Sequence, residues 1–194
     1  MPIDYAVLAS GSGTNLQALI DADLPPPCVV VSDVASCRAL DRARAAFIPT
    51  AVVAYHGDRA AFTTEVCDAV ESHGGQAMVL AGFMRILGPE AIRRFPDRIV
   101  NLHPSMLPAF PGVDAVGQAL AAGVTVTGVT VHFVDERVDH GPIIAQEAVP
   151  VLAGDSEESL RMRIQEREHM LYPKVVQALI EGRLSMVNGE VLWS

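Results

Sequence analysis

The sequence predicts an α/β fold: a mainly parallel sheet with helices on both faces and antiparallel strands toward its C-terminal part. Three observations carry that prediction. Up to residue 103, short apolar runs alternate with helical patterns, which calls for right-handed crossovers between parallel strands. A glycine turn, Ser10-Gly11-Ser12-Gly13, separates the first apolar run from the first helical pattern, as in Rossmann-like sheets. After residue 125 two β-branched runs follow one another without a crossover helix, so they should pair antiparallel.

Residues 3–9 read as a buried strand, followed by the loop 10–16 and a helical pattern over 17–22. Glycines let backbone N–H groups approach an anion, and a helix N-terminus adds partial positive charge. A dinucleotide fingerprint would want a third glycine where Leu16 stands, and no Walker lysine follows. The loop therefore suits a single phosphate group better than a pyrophosphate. A tight turn without a ligand is the plainer alternative.

Pro25-Pro26-Pro27 is a stiff turn before a second apolar run, 28–32, and a helix over 38–46. A short third strand is expected over 51–54. Asp58 can cap a helix that runs to about residue 73, with Arg59 in its first turn. Residues 77–81 make the fourth strand, and an apolar loop over 82–89 follows. Pro89 suits the first turn of a helix to Phe95. Residues 99–103 make the fifth strand, in which alternation puts Asn101 and His103 on one face and Leu102 on the other. Pro104, Pro108 and Pro111 then forbid continuation. Two polar side chains are thus held at a strand end beside a stiff loop, where open α/β sheets place their chemistry. A satisfied core histidine is the plainer reading.

A helix over 114–122 and strands over 125–133 and 143–149 come next, the strands joined by a short polar loop, 134–142. Asp155 with Glu158 suggests an N-cap and acidic first turn for a helix to about Leu171. Pro173 should kink or restart that helix, which ends near Gly182. Gln165 and Glu168, three apart, share a helix face. Residues 184–193, around Asn188-Gly189, read as a terminal hairpin.

Composition bounds the function. The 194 residues suffice for one domain with a sizeable core, and 50% hydrophobic against 19% charged residues argues against disorder. A net charge of −9 argues against broad nucleic-acid binding but leaves room for a local basic pocket. Cys28, Cys37 and Cys67 lack metal-ligand spacing and read as reduced thiols of a cytoplasmic protein. The N-terminus is no signal peptide, and no window reaches the length of a membrane span. Small molecules are the expected partners, with no membrane and no nucleic acid; a homodimer is left open.

Asn101-Leu102-His103-Pro104-Ser105-Met106-Leu107-Pro108 resembles the signature of the folate-dependent formyltransferases. Three more segments match in order: the loop 10–16, Leu80-Ala81-Gly82-Phe83-Met84-Arg85-Ile86-Leu87, and Val131-His132-Phe133 with Asp139 and Gly141-Pro142. The likeness covers nearly the whole chain and is to the branch that acts on glycinamide ribonucleotide in purine biosynthesis. It implies a single formyltransferase domain over 1–194, with ribonucleotide bound by about 1–100 and folate binding and catalysis in about 80–194. It implies 10-formyltetrahydrofolate as co-substrate and no metal.

By that resemblance Asn101, His103 and Asp139 are the catalytic residues. Gly11, Ser12, Gly13, Thr14 and Asn15 would cradle the ribonucleotide phosphate, with Gln165 and Glu168 as further contacts. Arg59, Met84, Arg85, Ile86, Leu87 and Asn101 would meet the folate, joined by Val134, Asp135, Glu136, Arg137, Val138 and Asp139. Asp114 stands where many relatives carry histidine, and His140 could compete for Asp139. A tRNA formyltransferase would need a nucleic-acid-binding domain, and a formyltetrahydrofolate hydrolase an added N-terminal domain. The hydrolase and a non-catalytic nucleotide-binding module are the alternatives to transfer.

Overall fold

A computed structural model of the chain describes every residue except Met1 and Asn188. Seven strands form one sheet in the order β3-β2-β1-β4-β5-β6-β7. They are β1 (Tyr5–Leu8), β2 (Val29–Ser32), β3 (Thr50–Val52), β4 (Ala77–Leu80), β5 (Ile99–His103), β6 (Val126–Phe133) and β7 (Ile143–Pro150). The first five are parallel, and β6 and β7 run antiparallel at the far edge. β1 and β2 are buried along their whole length, as strands covered on both faces must be.

Helices α1 (Thr14–Asp21), α2 (Arg38–Ala45), α5 (Ala115–Ala121) and α6 (Glu157–Ile180) contribute Leu16, Leu40, Val116 and Ile164 to one core. Helices α3 (Arg59–Ser72) and α4 (Pro89–Arg94) contribute Phe62, Val66 and Ala91 to the other. The strands divide accordingly. On β5, Val100 and Leu102 face the first core and Ile99 the second. A separate hairpin, β8 (Leu184–Val187) and β9 (Glu190–Trp193), ends the chain; Asn188 of its expected turn lies outside the described residues. Among the described residues no helix is long and apolar enough to cross a membrane.

Strand order reverses between β1 and β4, the neighbours at the centre of the sheet. Loops leaving their C-terminal ends part in opposite directions and open a cleft there. The glycine loop leaves β1 and the 81–88 loop leaves β4.

Three expectations need correction. The helix after the glycine loop begins at Thr14, so Thr14 and Asn15 are its first turn rather than loop. The cap of α6 is Ser156, in a reciprocal box with Ser159 at 3.1 and 3.0 Å. Asp155 is occupied instead by Arg163, the Leu152 N–H and the Ser159 hydroxyl. Finally, α6 does not restart at Pro173 but runs on through it. Such a proline costs about 3 kcal/mol, but Leu171, Tyr172, Val175 and Val176 are all buried around it. Tyr172 also donates its hydroxyl to the Leu80 carbonyl at 2.7 Å, which holds the middle of the helix on the sheet.

Candidate active site

The glycine loop is shaped by its neighbours. Gly13 sits at φ +70°, and a Cβ there would stand 2.7 Å from Ala39 Cα. Only glycine lets α2 approach that closely. Gly13 provides no side-chain cap for α1, so the first N–H groups of that helix stay open toward the cleft. The cleft, of about 270 Å³, is lined by Gly11, Ser12, Gly13, Thr14 and Asn15 from this loop. Gln165 and Glu168 reach it from α6, and Gly82, Met84 and Pro104 close it from the other side. All seven residues expected at the ribonucleotide therefore line one cavity. Asn15 Nδ2 donates to Glu168 Oε2 at 2.9 Å. Burial pushes the Glu168 carboxyl above its ordinary value, partly offset by the Asn15 hydrogen bond and the charge of Arg161.

Asn101 and His103 occupy the α3/α4 side of β5, opposite Leu102, and meet Asp139 from the loop between β6 and β7. His103 Nδ1 lies 3.3 Å from Asp139 Oδ2. Asn101 Nδ2 lies 3.5 Å from Asp139 Oδ1. Asp139 adopts φ +53° and accepts the Gly112 N–H at 2.7 Å. The other ring nitrogen of His103, Nε2, donates to the Phe110 carbonyl at 2.8 Å. Carbonyl and carboxylate oxygens can only accept, so both contacts are satisfied when both ring nitrogens carry hydrogen. The expected trio is thus one cluster, at the end of β5. It lies on the sheet face opposite α6, while the cleft reaches Leu102 and Pro104 at the same strand end.

The 84–87 loop divides its residues. Met84 and Ile86 are 71% and 55% exposed beside the cleft mouth, whereas Leu87 is buried against the second core. Arg85 Nε binds Asp33 Oδ2 at 2.7 Å, with the guanidinium over the Tyr55 ring. Asp33 also accepts the Ser10 hydroxyl, and Ser10 Oγ accepts the Met84 N–H. Arg59 stands at the base of this loop, where a Cβ on Gly88 would lie 3.7 Å from its Nε. In the 134–138 stretch, Val134 and Asp135 are partly covered, while Glu136, Arg137 and Val138 are exposed. Asp135 accepts the Arg137 N–H at 2.8 Å.

The formyl transferase family pattern matches residues 4–176. The chain belongs to the formyl transferase family. It is 46% identical over 192 residues to phosphoribosylglycinamide formyltransferase of Mycobacterium tuberculosis, covering 96% of this chain and 89% of that one. It is 45% identical to the bovine trifunctional purine biosynthetic protein adenosine-3, where 97% of this chain spans 19% of the relative's length. The crystal structure of glycinamide ribonucleotide transformylase 1 from Symbiobacterium toebii superposes with a TM-score of 0.96 at 44% identity, over 99% of this chain and 94% of that one.

One member of this formyl transferase site was not singled out as a site residue from the sequence. His132, fully buried on β6, pairs with Asn101 in the antiparallel register. Its Nδ1 donates to the Phe133 carbonyl at 2.7 Å, and its Nε2 lies 3.2 Å from Asn101 Nδ2. His132 Nε2 is also 3.7 Å from Asp139 Oδ1. The second histidine at Asp139 is therefore His132, while His140 is exposed. A signal existed: Thr130 and His132 alternate like Asn101 and His103. The pairing register that joins the two strands was not readable. Burial raises the Asp139 carboxyl, but His132, the Gly112 N–H and the charge of His103 outweigh it and hold the group below its ordinary value. Asp114 is the αL cap of α5 and accepts the Gly117 N–H at 3.3 Å.

Proposed function

We propose that this formyl transferase moves the formyl group of 10-formyltetrahydrofolate to the amine of glycinamide ribonucleotide, in purine biosynthesis. One observation supports it above the rest: the cleft at the glycine loop reaches Leu102 and Pro104 at the end of β5, the strand end that also carries the cluster of Asn101, His103 and Asp139. Such an arrangement suits a ligand with a phosphate at one end and a reacting amine at the other.

In this reading the phosphate lies on the open N–H groups of Gly11 to Asn15, and Gln165 and Glu168 take the ribose hydroxyls. The folate lies over Met84, Arg85, Ile86 and Leu87, with Arg59 and residues 134–139 beside it. Exposed Met84 and Ile86 supply apolar contact, Leu87 supports them from below, and Arg85 acts through its hold on Asp33. The amine nitrogen attacks the formyl carbon, and the carbonyl electrons move onto oxygen. Asn101 turns an N–H to that oxyanion, giving up its long 3.5 Å contact with Asp139. His103, oriented by Asp139, supplies a second hydrogen bond and then protonates the departing folate nitrogen. The attacking amine releases a proton as the carbonyl reforms, so protons balance. His103 must exchange the Phe110 carbonyl for the ligand, which requires the loop after Pro108 to shift.

The whole chain acts as one domain in this proposal, with the ribonucleotide half and the folate half meeting at the cleft. The reaction runs in the cytoplasm, in keeping with three cysteines that are all free thiols. Folate absorbance tests the proposal. The purified protein is mixed with 10-formyltetrahydrofolate, with and without glycinamide ribonucleotide. Tetrahydrofolate should appear only with the ribonucleotide. Equal turnover without it would mean hydrolysis, and no turnover in either would mean a binding module.

A further inference from the structure

Arg161 is the one cationic side chain among the residues lining the cleft, and Glu168 is the one acidic side chain there. It lies on α6 one turn before Gln165 and two before Glu168, so the three share the face that looks onto the glycine loop. Its guanidinium is paired with Glu157, four residues earlier, and both side chains are about half exposed. An exposed pair of this kind is weak and readily exchanged. Its nearness to the cleft also shows electrostatically, because its charge is felt by Glu168.

A phosphate monoester carries close to two negative charges at neutral pH. The open N–H groups of α1 supply only a partial positive charge, and Glu168 adds an acid to the same cavity. The cation nearest the glycine loop on its other side, Arg42, is already committed. It donates from Nε to the Ser12 carbonyl at 2.8 Å and from Nη1 to Gln17 at 2.9 Å, bracing the loop from outside the cleft. Among the described residues lining the cleft, Arg161 is thus the counter-charge free to turn toward a dianion.

We propose that Arg161 leaves Glu157 when the ribonucleotide binds and closes over its phosphate as a bidentate clamp. Glu157 is then the residue that holds the clamp open in the free protein. The guanidinium fork matches two phosphate oxygens, which a lysine point charge would not. This assignment rests on the ribonucleotide reading above and deepens it: Arg161 selects the phosphorylated ligand, while Gln165 and Glu168 read its sugar.

Calorimetric titration with glycinamide ribonucleotide and with its dephosphorylated ribonucleoside tests it. Arg161→Gln should raise the ribonucleotide dissociation constant roughly 10- to 100-fold and leave the ribonucleoside constant unchanged. Arg161→Lys should recover part of the loss. Glu157→Gln should act in the opposite direction, tightening the ribonucleotide by about two- to five-fold. With the Arg161→Gln enzyme, KM for the ribonucleotide should rise while kcat at saturation holds. Circular dichroism shows whether α6 is intact; it should be, since the side chain is exposed. If Arg161→Gln binds the ribonucleotide as tightly as wild type, the clamp is wrong and the functional reading stands. Equal losses for both ligands would also overturn it, by showing a general effect on the cleft. A wild-type protein that does not bind the ribonucleotide overturns the functional reading and the clamp together.

Discussion

Asn15 on the first turn of α1 donates to Glu168 on α6 at 2.9 Å, tying the glycine loop to the last long helix across the ligand cleft. The acceptor is a buried carboxyl whose pKa burial has raised. A raised folded-state pKa means stability that is full below the unfolded value and lost as pH rises through the folded one. Ionising Glu168 therefore costs stability. Glu168→Gln preserves the acceptor for Asn15 and removes the charge. Its melting temperature should exceed that of wild type at pH 7, by about 2–4 °C per kcal/mol recovered, and the gap should close near pH 4. Ribonucleotide affinity should fall in the same variant. Scanning calorimetry across pH checks the first part; a variant less stable at pH 7 than at pH 4, relative to wild type, would reverse the sign argument.

The two glycines of the loop should part company. Gly13 has φ +70° and Ala39 against it, so Gly13→Ala should lower stability by at least about 1–2 kcal/mol from backbone strain alone. Gly11 has an ordinary φ and open space where a Cβ would go. Gly11→Ala should keep the melting temperature and weaken ribonucleotide binding, because its methyl group stands where the phosphate would approach. Thermal melts with parallel titrations separate them. Equal ribonucleotide affinity in Gly11→Ala would remove that backbone from the phosphate site.

Most elements were legible before any coordinates, and the reason is local. Asp58 caps α3 as its position suggests, and Pro89 opens α4. The crossover-free gap after Phe133 made β6 and β7 antiparallel. Misreadings arose where one side chain had several suitors. Asp155 looked like a cap, but Arg163, eight residues on, claimed it. Pro173 suggested a kink or a restart, but burial around Tyr172 let the helix run on without restarting. Asn101, His103 and Asp139 were singled out through the family signature, and the fold brings them together at the end of β5. His132 was not, because its role depends on which residue it faces across β5 and β6. Arg85 was expected at the ligand, and its tie to Asp33 across 52 residues has no local sign in the sequence.

That tie carries a further expectation. Asp33 is almost wholly buried and accepts both Ser10 Oγ at 2.6 Å and Arg85 Nε at 2.7 Å, so it joins the loop after β1 to the loop after β4. Asp33→Ala leaves both donors without their acceptor, at a cost of about 1–3 kcal/mol. The melting temperature should drop, and the dissociation constant of a folate analogue, read by fluorescence titration, should rise several-fold as the Met84 to Leu87 loop loosens. Unchanged folate affinity in a folded variant would show that this loop keeps its shape without Asp33.

The central claim is that Asp139 sustains the acid role of His103 during formyl transfer. Asp139 is held below the ordinary carboxylate range, so it stays charged through mildly acidic pH and is lost as a counter-ion only as pH falls through that lowered value. Asp139→Asn keeps the shape and removes the charge. Without it His103 Nδ1 loses the carboxylate oxygen that faces it at 3.3 Å, and with it the orientation of the ring. The measurement is kcat against pH for both proteins, with ribonucleotide dissociation constants taken directly. At neutral pH kcat should fall at least about tenfold, within the roughly 10²–10⁴-fold that a positioned acid contributes. Ribonucleotide binding should change far less. A variant with near-wild-type kcat would contradict the account and make Asp139 only a loop residue.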